Sequence, residues 1–363
     1  MKPARRARTR TLQFLAVGAL ALALCLIGAS GAAAKKAPKS FFGVVPWGSF
    51  KGQDYQRLVK ADVHNARTPF YWFLIEPSPG SYDWASTDRF VGSAARYHVR
   101  VLPFLYGSPS WVTKNQARLP AKSKSRAKWK RFVKACVHRY GRHGKFWRQH
   151  PGLPKLPITT WQIWNEQNNT KYAGPRPKPK KYAKLVKTSH RAARSKDRHA
   201  KIVLGGMFGN PKPKHSASAS SYLRKMYKVK GLKRSFNDIA VHPYAPTIHS
   251  LKHQVSKLHK VVKRRHDNAK TWITEMGWGS APPSKKAPLL KGVQGQKRML
   301  KKSFRVLLHH RHKWKLKRVY WFMWRDASPQ LPTNCSFCHS AGLFTYNFQP
   351  KPSWHAFKGF TRR

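Results

Sequence analysis

The amino-acid sequence predicts a single (β/α)8 TIM barrel, because strand-like and helix-like segments alternate along it without a change of composition. From residue 41 onward, short segments rich in β-branched and aromatic residues alternate with longer segments whose apolar residues repeat at helical spacing. We count eight of the short segments, and no linker separates them into two groups. Such alternation is typical of a parallel sheet covered by helices, so we expect one barrel over residues 35–363.

The predicted strands are the short segments rich in β-branched and aromatic residues. They are residues 41–47, 63–71, 100–106, 158–165, 201–207, 238–243, 271–276 and 319–324. The segments between them carry apolar residues at intervals of three and four, which predicts one buried helix face each. Examples are Trp129, Phe132, Val133, Cys136, Val137 and Tyr140, then Leu251, Val255, Leu258 and Val262, and finally Leu307 and Leu308.

Residues 1–34 have the layout of a secretory signal peptide and are excluded from the predicted fold. A cationic start is followed by an apolar run over residues 11–30 and by small residues up to Ala34. We therefore expect cleavage after Ala34 and a secreted, extracellular protein. Whether it also associates with the cell wall depends on the interpretation of its charge, given below. The alternative is a retained membrane anchor, since the apolar run approaches the roughly 20 residues that span a bilayer.

The charge of the chain is extreme and excludes two classes of protein. Lys and Arg number 74 against 11 Asp and Glu, which gives a formal net charge of +63. Hydrophobic residues make up 40% and aromatic residues 13%, which is too much apolar mass for a disordered chain. With so few acids, most cations have no acidic partner, so a surface rich in salt bridges is excluded as well.

Carboxylates are so rare that their positions are informative. The only glutamates are Glu76, Glu166 and Glu275, and the last two stand at the ends of predicted strands four and seven. Cleavage of a glycosidic bond needs one protonated carboxyl for the leaving oxygen and one carboxylate facing the anomeric carbon. The alternative is a pair of structural acids, but the ends of barrel strands favour catalysis. Glu76 precedes a proline and is interpreted as a turn or cap, with a rim subsite as its alternative.

Four motifs in barrel order resemble the retaining clan A glycoside hydrolases, most similarly the bacterial family 39-like or family 5-like enzymes. They are WNEQN, VHPY, ITEMGWG and YWFMWRD, and the resemblance runs from about residue 41 to residue 360. It implies that Glu166 is the general acid/base, that Glu275 is the nucleophile and that Asn165 binds the sugar 2-hydroxyl. Strict strand alternation would point Asn165 away from Glu166, so its inward placement rests on the resemblance.

The same resemblance implies four supporting residues. Arg67 would hold Glu275 ionised, and His242 and Tyr244 would orient the nucleophile and line the cleft. Trp324 would form an aromatic floor under the sugar. One departure is Gln167, which stands where the family commonly has proline.

Cysteine spacing predicts a local disulfide and no metal site. Cys335 and Cys338 form CSFC after the last predicted strand, and in an exported protein a Cys335–Cys338 disulfide is expected there. A metal site would need further ligands at matching spacing, and the sequence has no second CxxC. Cys136 lies on an apolar helix face and is predicted to be a buried thiol.

These observations together predict a secreted retaining glycosidase that acts on a poly- or oligosaccharide by double displacement, without metal or cofactor. The alternative is a non-catalytic barrel that binds cell-wall polymers or other polyanions. The basic residues are dispersed and match no nucleic-acid-binding motif, so we expect no specific nucleic-acid recognition. Three interpretations of the charge stay open. The cations adhere to anionic wall polymers or acidic polysaccharide, they reflect a basic composition shared across the lineage's proteins with no ligand behind it, or they bind an acidic substrate. The oligomeric state stays open too.

Overall fold

The computed structural model describes residues 37–361 except residues 39, 47, 49 and 334. The predicted signal segment, residues 1–34, lies outside the described residues, so its cleavage stays a prediction. Within the described part of the chain, no helix combines the length and the apolar character needed to cross a bilayer.

Eight parallel strands close into a barrel, which confirms the predicted (β/α)8 TIM barrel. The strands are β1 Phe42–Val45, β2 Asn65–Tyr71, β3 Arg100–Tyr106, β4 Thr160–Ile163, β5 Lys201–Leu204 with its continuation Met207–Phe208, β6 Asp238–His242, β7 Lys270–Met276 and β8 Leu316–Phe322. Each pairs in parallel with its neighbours, and β8 returns to β1 over four residue pairs. The fifth strand is interrupted by Gly205 and Gly206, and both of its segments pair with β6.

The helices occupy the predicted intervals between strands. They are α1 Gly52–Lys60, α2 Trp72–Ile75, α3 Ala85–Arg96, α4 Ser123–Tyr140, α5 Lys145–Gln149, α6 Thr170–Ala173, α7 Pro179–Arg194, α8 Ala219–Met226, α9 Ile248–Arg264, α10 Gly292–His309 and α11 Pro352–Thr361. Every apolar residue that predicted a buried helix face is buried, including the Cys136 thiol. These faces pack on the outside of the sheet, as the helical spacing predicts.

The barrel interior is filled from one end by apolar residues and at the other by polar ones. Side chains from six strands form a separate apolar cluster, in which Trp272 of β7 stacks on Tyr320 of β8 at 6.3 Å between ring centroids. Two residues further along β7, Thr274 is fully buried and hydrogen-bonds to polar neighbours. The change from apolar to polar side chains marks the carboxyl ends of the strands, where barrel enzymes carry their active sites.

Candidate active site

A left-handed backbone turn after β4 sets the positions of Asn165 and Glu166. Strand β4 ends at Ile163, two residues before its predicted end, because Trp164 has φ 69° and Glu166 has φ 43°. Positive φ is costly for residues with a Cβ and is concentrated at functional sites. The turn breaks the strand alternation, so both Asn165 and Glu166 reach the mouth of the barrel.

Glu166 is buried and held by two side chains. Its Oε1 lies 3.0 Å from His242 Nδ1, and its Oε2 accepts a hydrogen bond of 3.1 Å from Asn169 Nδ2. Burial raises the pKa of Glu166 well above its usual value, and the nearby charge of Glu275 raises this pKa further. Asn169 and Arg67 oppose the shift. A carboxyl in this setting keeps its proton to higher pH than an exposed glutamate.

Glu275, on β7, lies in the opposite electrostatic setting. Its Oε1 accepts a hydrogen bond of 2.6 Å from Arg67 Nη1, and its Oε2 accepts one of 2.9 Å from the Tyr244 hydroxyl. Arg67 is fully buried and also donates to Asn165 Oδ1 at 2.8 Å and to Gln162 Oε1 at 2.7 Å. Each of its three side-chain nitrogens thus donates a hydrogen bond, and the bond to the Glu275 carboxylate is charge-assisted.

His242 connects the two carboxylates. Its Nδ1 lies 3.0 Å from Glu166 Oε1 and 3.5 Å from Glu275 Oε2, and its Nε2 lies 3.0 Å from Thr274 Oγ1. Burial lowers the pKa of His242 well below its usual value, and the charge of Arg67 lowers it further, so the ring is neutral near pH 7.

The glycine pair that interrupts β5 makes room for this ring. A Cβ on Gly206 would lie 1.9 Å from His242 Nε2 and 2.6 Å from Thr274 Oγ1, closer than atoms can approach. The Gly206 carbonyl also accepts a hydrogen bond of 3.1 Å from the Glu166 backbone N–H. A side chain at position 206 would therefore displace both the histidine and the turn that carries Glu166.

One carboxylate oxygen of Glu166, one of Glu275 and one ring nitrogen of His242 all lie within 4.8 Å of one another. These are the residues that could hold a metal ion. However, the Arg67 guanidinium already contacts Glu275 and would repel a divalent cation at that carboxylate. The donor set fits a hydrogen-bonded carboxyl pair better than a metal centre.

Aromatic residues rise on both sides of the carboxyl pair. On one side Tyr71, Tyr106 and Tyr172 form a tyrosine wall, with ring centroids 6.2 and 6.3 Å apart along the series. Burial raises the pKa of all three hydroxyls, and the carboxylates raise these pKa values further. The hydroxyls therefore stay protonated and remain hydrogen-bond donors beside the cleft.

The opposite side, the phenylalanine wall, is formed by Phe208, Phe322 and Phe337 around Tyr244. Their ring centroids lie 5.6, 6.1 and 5.5 Å from that of Tyr244. The structure joins Cys335 to Cys338 by a disulfide, so Phe337 is carried in a four-residue ring. We refer to the space between these aromatic residues and the buried carboxyls as the slot; a lining of aromatic side chains with a few polar groups is typical of ligand sites.

The predicted floor residue Trp324 does not line this slot, and that prediction is wrong. Its side chain is 1% exposed, packs against Phe344 and Trp354, and donates from Nε1 to Asp54 Oδ1 at 2.7 Å. Strand β8 ends at Phe322, two residues before its predicted end, so the ring that faces Tyr244 belongs to Phe322.

Glu76 is structural, as interpreted from its position before a proline. Its carboxylate is 1% exposed and accepts hydrogen bonds from Trp72 Nε1 at 2.6 Å and from the Gly80 backbone N–H at 2.9 Å. It therefore orders the turn that follows α2.

Sequence reasoning missed both aromatic walls, Gly206 and three polar residues of the site. Gln162 and Thr274 are polar residues on the inner face of otherwise apolar strands, and that contrast was a usable signal. Asn169 and Phe322 carried no such signal. Asn169 reaches Glu166 through the turn after β4, and Phe322 faces the cleft because β8 ends early.

Comparison with known families gives a match over residues 154–354 to the family described as "Glycosyl hydrolase catalytic core". The matched region contains Glu166, Glu275, His242 and Tyr244. No curated protein sequence matches the chain significantly.

Solved structures with the same fold are glycoside hydrolases of low sequence identity. A family 39 glycoside hydrolase from Bacteroides cellulosilyticus superposes with TM-score 0.64 at 18% identity, covering 88% of this chain and 63% of that one. A monomeric beta-xylosidase from Caulobacter crescentus gives TM-score 0.65, 14% identity, and coverage of 89% and 68%. A xylanase from Thermotoga petrophila in complex with xylobiose gives 0.61, 16%, and coverage of 89% and 94%. The chain thus spans less than two thirds of the Bacteroides enzyme.

Proposed function

This chain belongs to the glycosyl hydrolase catalytic core family, and from that premise we propose that it is a retaining β-glycosidase of poly- or oligosaccharides. The observation that carries the proposal is the pair of buried carboxyls in opposite electrostatic settings. Glu275 contacts a buried cation, whereas burial raises the pKa of Glu166. The raised pKa favours Glu166 as the proton donor, and the contact with Arg67 favours Glu275 as the nucleophile. Close approach of the pair, with oxygens within 4.8 Å, supports retention, because retaining carboxyl groups lie about 5–5.5 Å apart.

In the proposed first step, the ionised Glu275 attacks the anomeric carbon while protonated Glu166 donates its proton to the leaving oxygen. A water then attacks the glycosyl-enzyme, and Glu166 accepts a proton from that water. The Oδ1 of Asn165 is occupied by Arg67, which leaves the Asn165 amide free to donate to the sugar 2-hydroxyl. That hydrogen bond strengthens as positive charge develops on the ring in the transition state.

The test uses all three glutamates of the chain, each changed to glutamine. Glu275→Gln is expected to abolish turnover, and Glu166→Gln is expected to slow poor leaving groups far more than activated aryl glycosides. Glu76→Gln is the matched control: it should keep activity while losing about 1 kcal/mol of stability from a weakened buried hydrogen bond. Aryl β-xylosides are the first substrates to assay, because two of the similar structures are a xylosidase and a xylanase.

Product stereochemistry separates retention from inversion. Proton NMR of the first product should show the β-anomer before mutarotation. The α-anomer as first product would overturn the retaining mechanism. If Glu166→Gln and Glu275→Gln both match wild type on every hydrolysed substrate, the assignment of these two glutamates as the catalytic pair fails. If wild type hydrolyses no glycoside and still binds polyanions, the non-catalytic polyanion-binding barrel replaces the glycosidase.

Export and wall association belong to the same proposal. We expect the mature protein to begin after Ala34 and to be retained by anionic wall polymers, since its cations far outnumber its acids. N-terminal sequencing of protein from culture medium and from washed cells checks the cleavage. Release of the cell-bound fraction by about 0.5 M salt, where the Debye length is below about 8 Å, checks the electrostatic retention.

A further inference from the structure

A groove on the outside of the barrel, beside the loop that follows Glu275, has a composition that the catalytic site does not explain. It has a cavity volume of about 540 Å³ and lies between residues 283–291 and the first turns of α10. Its lining contains four cations and no acid. The four are Lys285, Lys291, Arg298 and Lys302.

The cations are arranged on one side of the groove without counter-ions. Lys291, Arg298 and Lys302 follow one another at intervals of seven and four residues, so they share one face of α10. Among the described residues, none of the four side chains makes an ion pair with an acid. Like charges held this close repel one another, and a bound anion would relieve that repulsion.

The floor of the groove is apolar. Pro283, Pro288, Leu290 and Met299 line it, and Gly295 is buried beneath it. A Cβ on Gly295 would lie 2.9 Å from the Lys291 Cβ, so the glycine lets the groove stay open at this point. An apolar floor bordered by cations complements a ligand that presents both CH faces and negative charges.

One residue of the groove also packs at one wall of the active site. The strand that carries Glu275 ends at Met276, and Leu290, in the segment that follows, bridges back to Gly279. Leu290 also packs on the cluster that includes Phe337 and against which Tyr244 packs, so it borders both the groove and the phenylalanine wall.

We propose that this groove is an accessory subsite for an acidic polysaccharide, whose uronate carboxylates pair with the four cations while its sugar rings lie on the apolar floor. The proposal rests on the proposed function, because it assigns a substrate class to the same glycosidase. Of the anionic ligands, a uronate chain is the one that presents both regularly spaced carboxylates and sugar faces.

The experiment measures binding in a Glu275→Gln background, so that no ligand is cleaved. The probes are a β-1,4-linked glucuronate hexamer, the uncharged glucose hexamer of the same backbone, and a linear hexaphosphate, each titrated at about 150 mM salt. The groove variant combines Lys285→Gln, Arg298→Gln and Lys302→Gln. The control variant combines Lys124→Gln, Lys130→Gln and Arg131→Gln on α4, which removes the same charge from an exposed helix face elsewhere.

The groove variant is expected to bind the glucuronate hexamer at least tenfold more weakly, and the control variant less than threefold more weakly. The neutral hexamer should bind at least tenfold more weakly than the charged one. Equal losses in both variants would show that charge acts diffusely and would overturn the subsite. Groove-dependent binding of hexaphosphate as tight as that of glucuronate would overturn the assignment to a uronate chain.

Thermal unfolding separates a binding defect from misfolding, and an unchanged midpoint is expected for both variants because the substituted side chains are exposed. Failure of this proposal is distinguishable from failure of the proposed function. Hydrolysis of neutral aryl glycosides by wild type with no groove-dependent binding overturns the subsite alone, whereas groove-dependent binding without hydrolysis of any substrate overturns the glycosidase.

Discussion

At the scale of single residues, the two carboxyl groups differ through their neighbours. Arg67 and Tyr244 donate to Glu275, whereas Glu166 has only the Asn169 amide as an assigned donor and a neutral His242 beside it. Glu166, with the raised pKa, is the group suited to donate a proton, and Glu275 is the group that contacts a buried cation. Substitution of a supporting residue is therefore expected to change the pH dependence or the rate of the reaction.

Asn169→Ala is expected to move the basic limb of the kcat/KM profile to higher pH. The Asn169 hydrogen bond favours ionised Glu166 and lowers its pKa, so its removal raises that pKa and keeps the acid protonated longer. The measurement is a pair of pH profiles with a neutral aryl glycoside. An unmoved limb, or one that moves to lower pH, would contradict the assignment of Glu166 as the acid.

Arg67→Lys is expected to lower kcat/KM about 100-fold. A lysine ammonium keeps the charge but cannot reach Glu275, Asn165 and Gln162 together, so at least one buried acceptor loses its donor. We also expect a loss of about 3 kcal/mol in the free energy of unfolding. Steady-state kinetics and urea unfolding check the two effects, and activity within threefold of wild type would contradict the role of Arg67.

At the scale of elements, the strand order and the helix faces were predictable because they rest on periodicity. The end of β4 was not predictable from the sequence. Its segment contains no glycine or proline that would signal a turn before Asn165, and the left-handed turn at Trp164 accompanies a hydrogen bond from the Glu166 N–H to the carbonyl of Gly206, which is distant in sequence. Strand β8 also ends earlier than predicted, at Phe322, and for this reason the Phe322 ring faces the cleft and the Trp324 ring does not. Such contacts join residues far apart in the sequence, so they cannot be predicted from the composition of one segment.

Most of the residues to which the resemblance assigns a role were predictable. Glu166, Glu275, Arg67, His242 and Tyr244 are brought into one network of contacts.

Of the residues that sequence reasoning missed, Gln162 and Asn169 lie outside the four motifs, whereas Thr274 and Phe322 lie inside them. The role of each depends on a side-chain contact in the folded protein, which the motifs do not record.

The CSFC loop is the element whose contribution can be switched chemically. Its disulfide holds Phe337 against Tyr244, which donates to Glu275. Closing so short a ring stabilises by roughly 2 kcal/mol. We expect wild-type kcat to fall severalfold on treatment with dithiothreitol, and the Cys335→Ser/Cys338→Ser variant to show the lowered kcat without any response to the reductant. A variant with wild-type kcat would show that the disulfide does not support Tyr244.

At the scale of the whole molecule, the surface cations act on the site through an electrostatic field that salt screens. Lys171 is exposed, and its charge lowers the pKa of Glu166. Raising the salt concentration from about 10 mM to about 500 mM weakens this effect and that of more distant cations. The pKa of Glu166 then rises, so the basic limb of kcat/KM is expected to move to higher pH.

The matched control for the salt effect is Lys171→Gln. Its basic limb should already lie at higher pH in low salt, and it should move less when salt is added. Two pH profiles for each protein, with a neutral aryl glycoside, measure both shifts. An equal salt shift in the two proteins would assign the effect to the distant cations alone, and no shift in either would show that the field of the surface does not reach Glu166.

All eleven acids of the chain lie among the described residues, and each accepts at least one hydrogen bond, as Asp54 does from Trp324 and Asp326 does from Lys351. Every carboxylate of the chain therefore takes part in a hydrogen bond of the folded protein. We therefore expect the acidic positions to tolerate substitution less well than the basic ones. In a saturation library selected for folded protein, replacements should be depleted at the acidic positions and accepted at most exposed lysines and arginines. A variant with a lower net charge should therefore be obtained by replacing exposed lysines and arginines, because these make few of the contacts that hold the fold together.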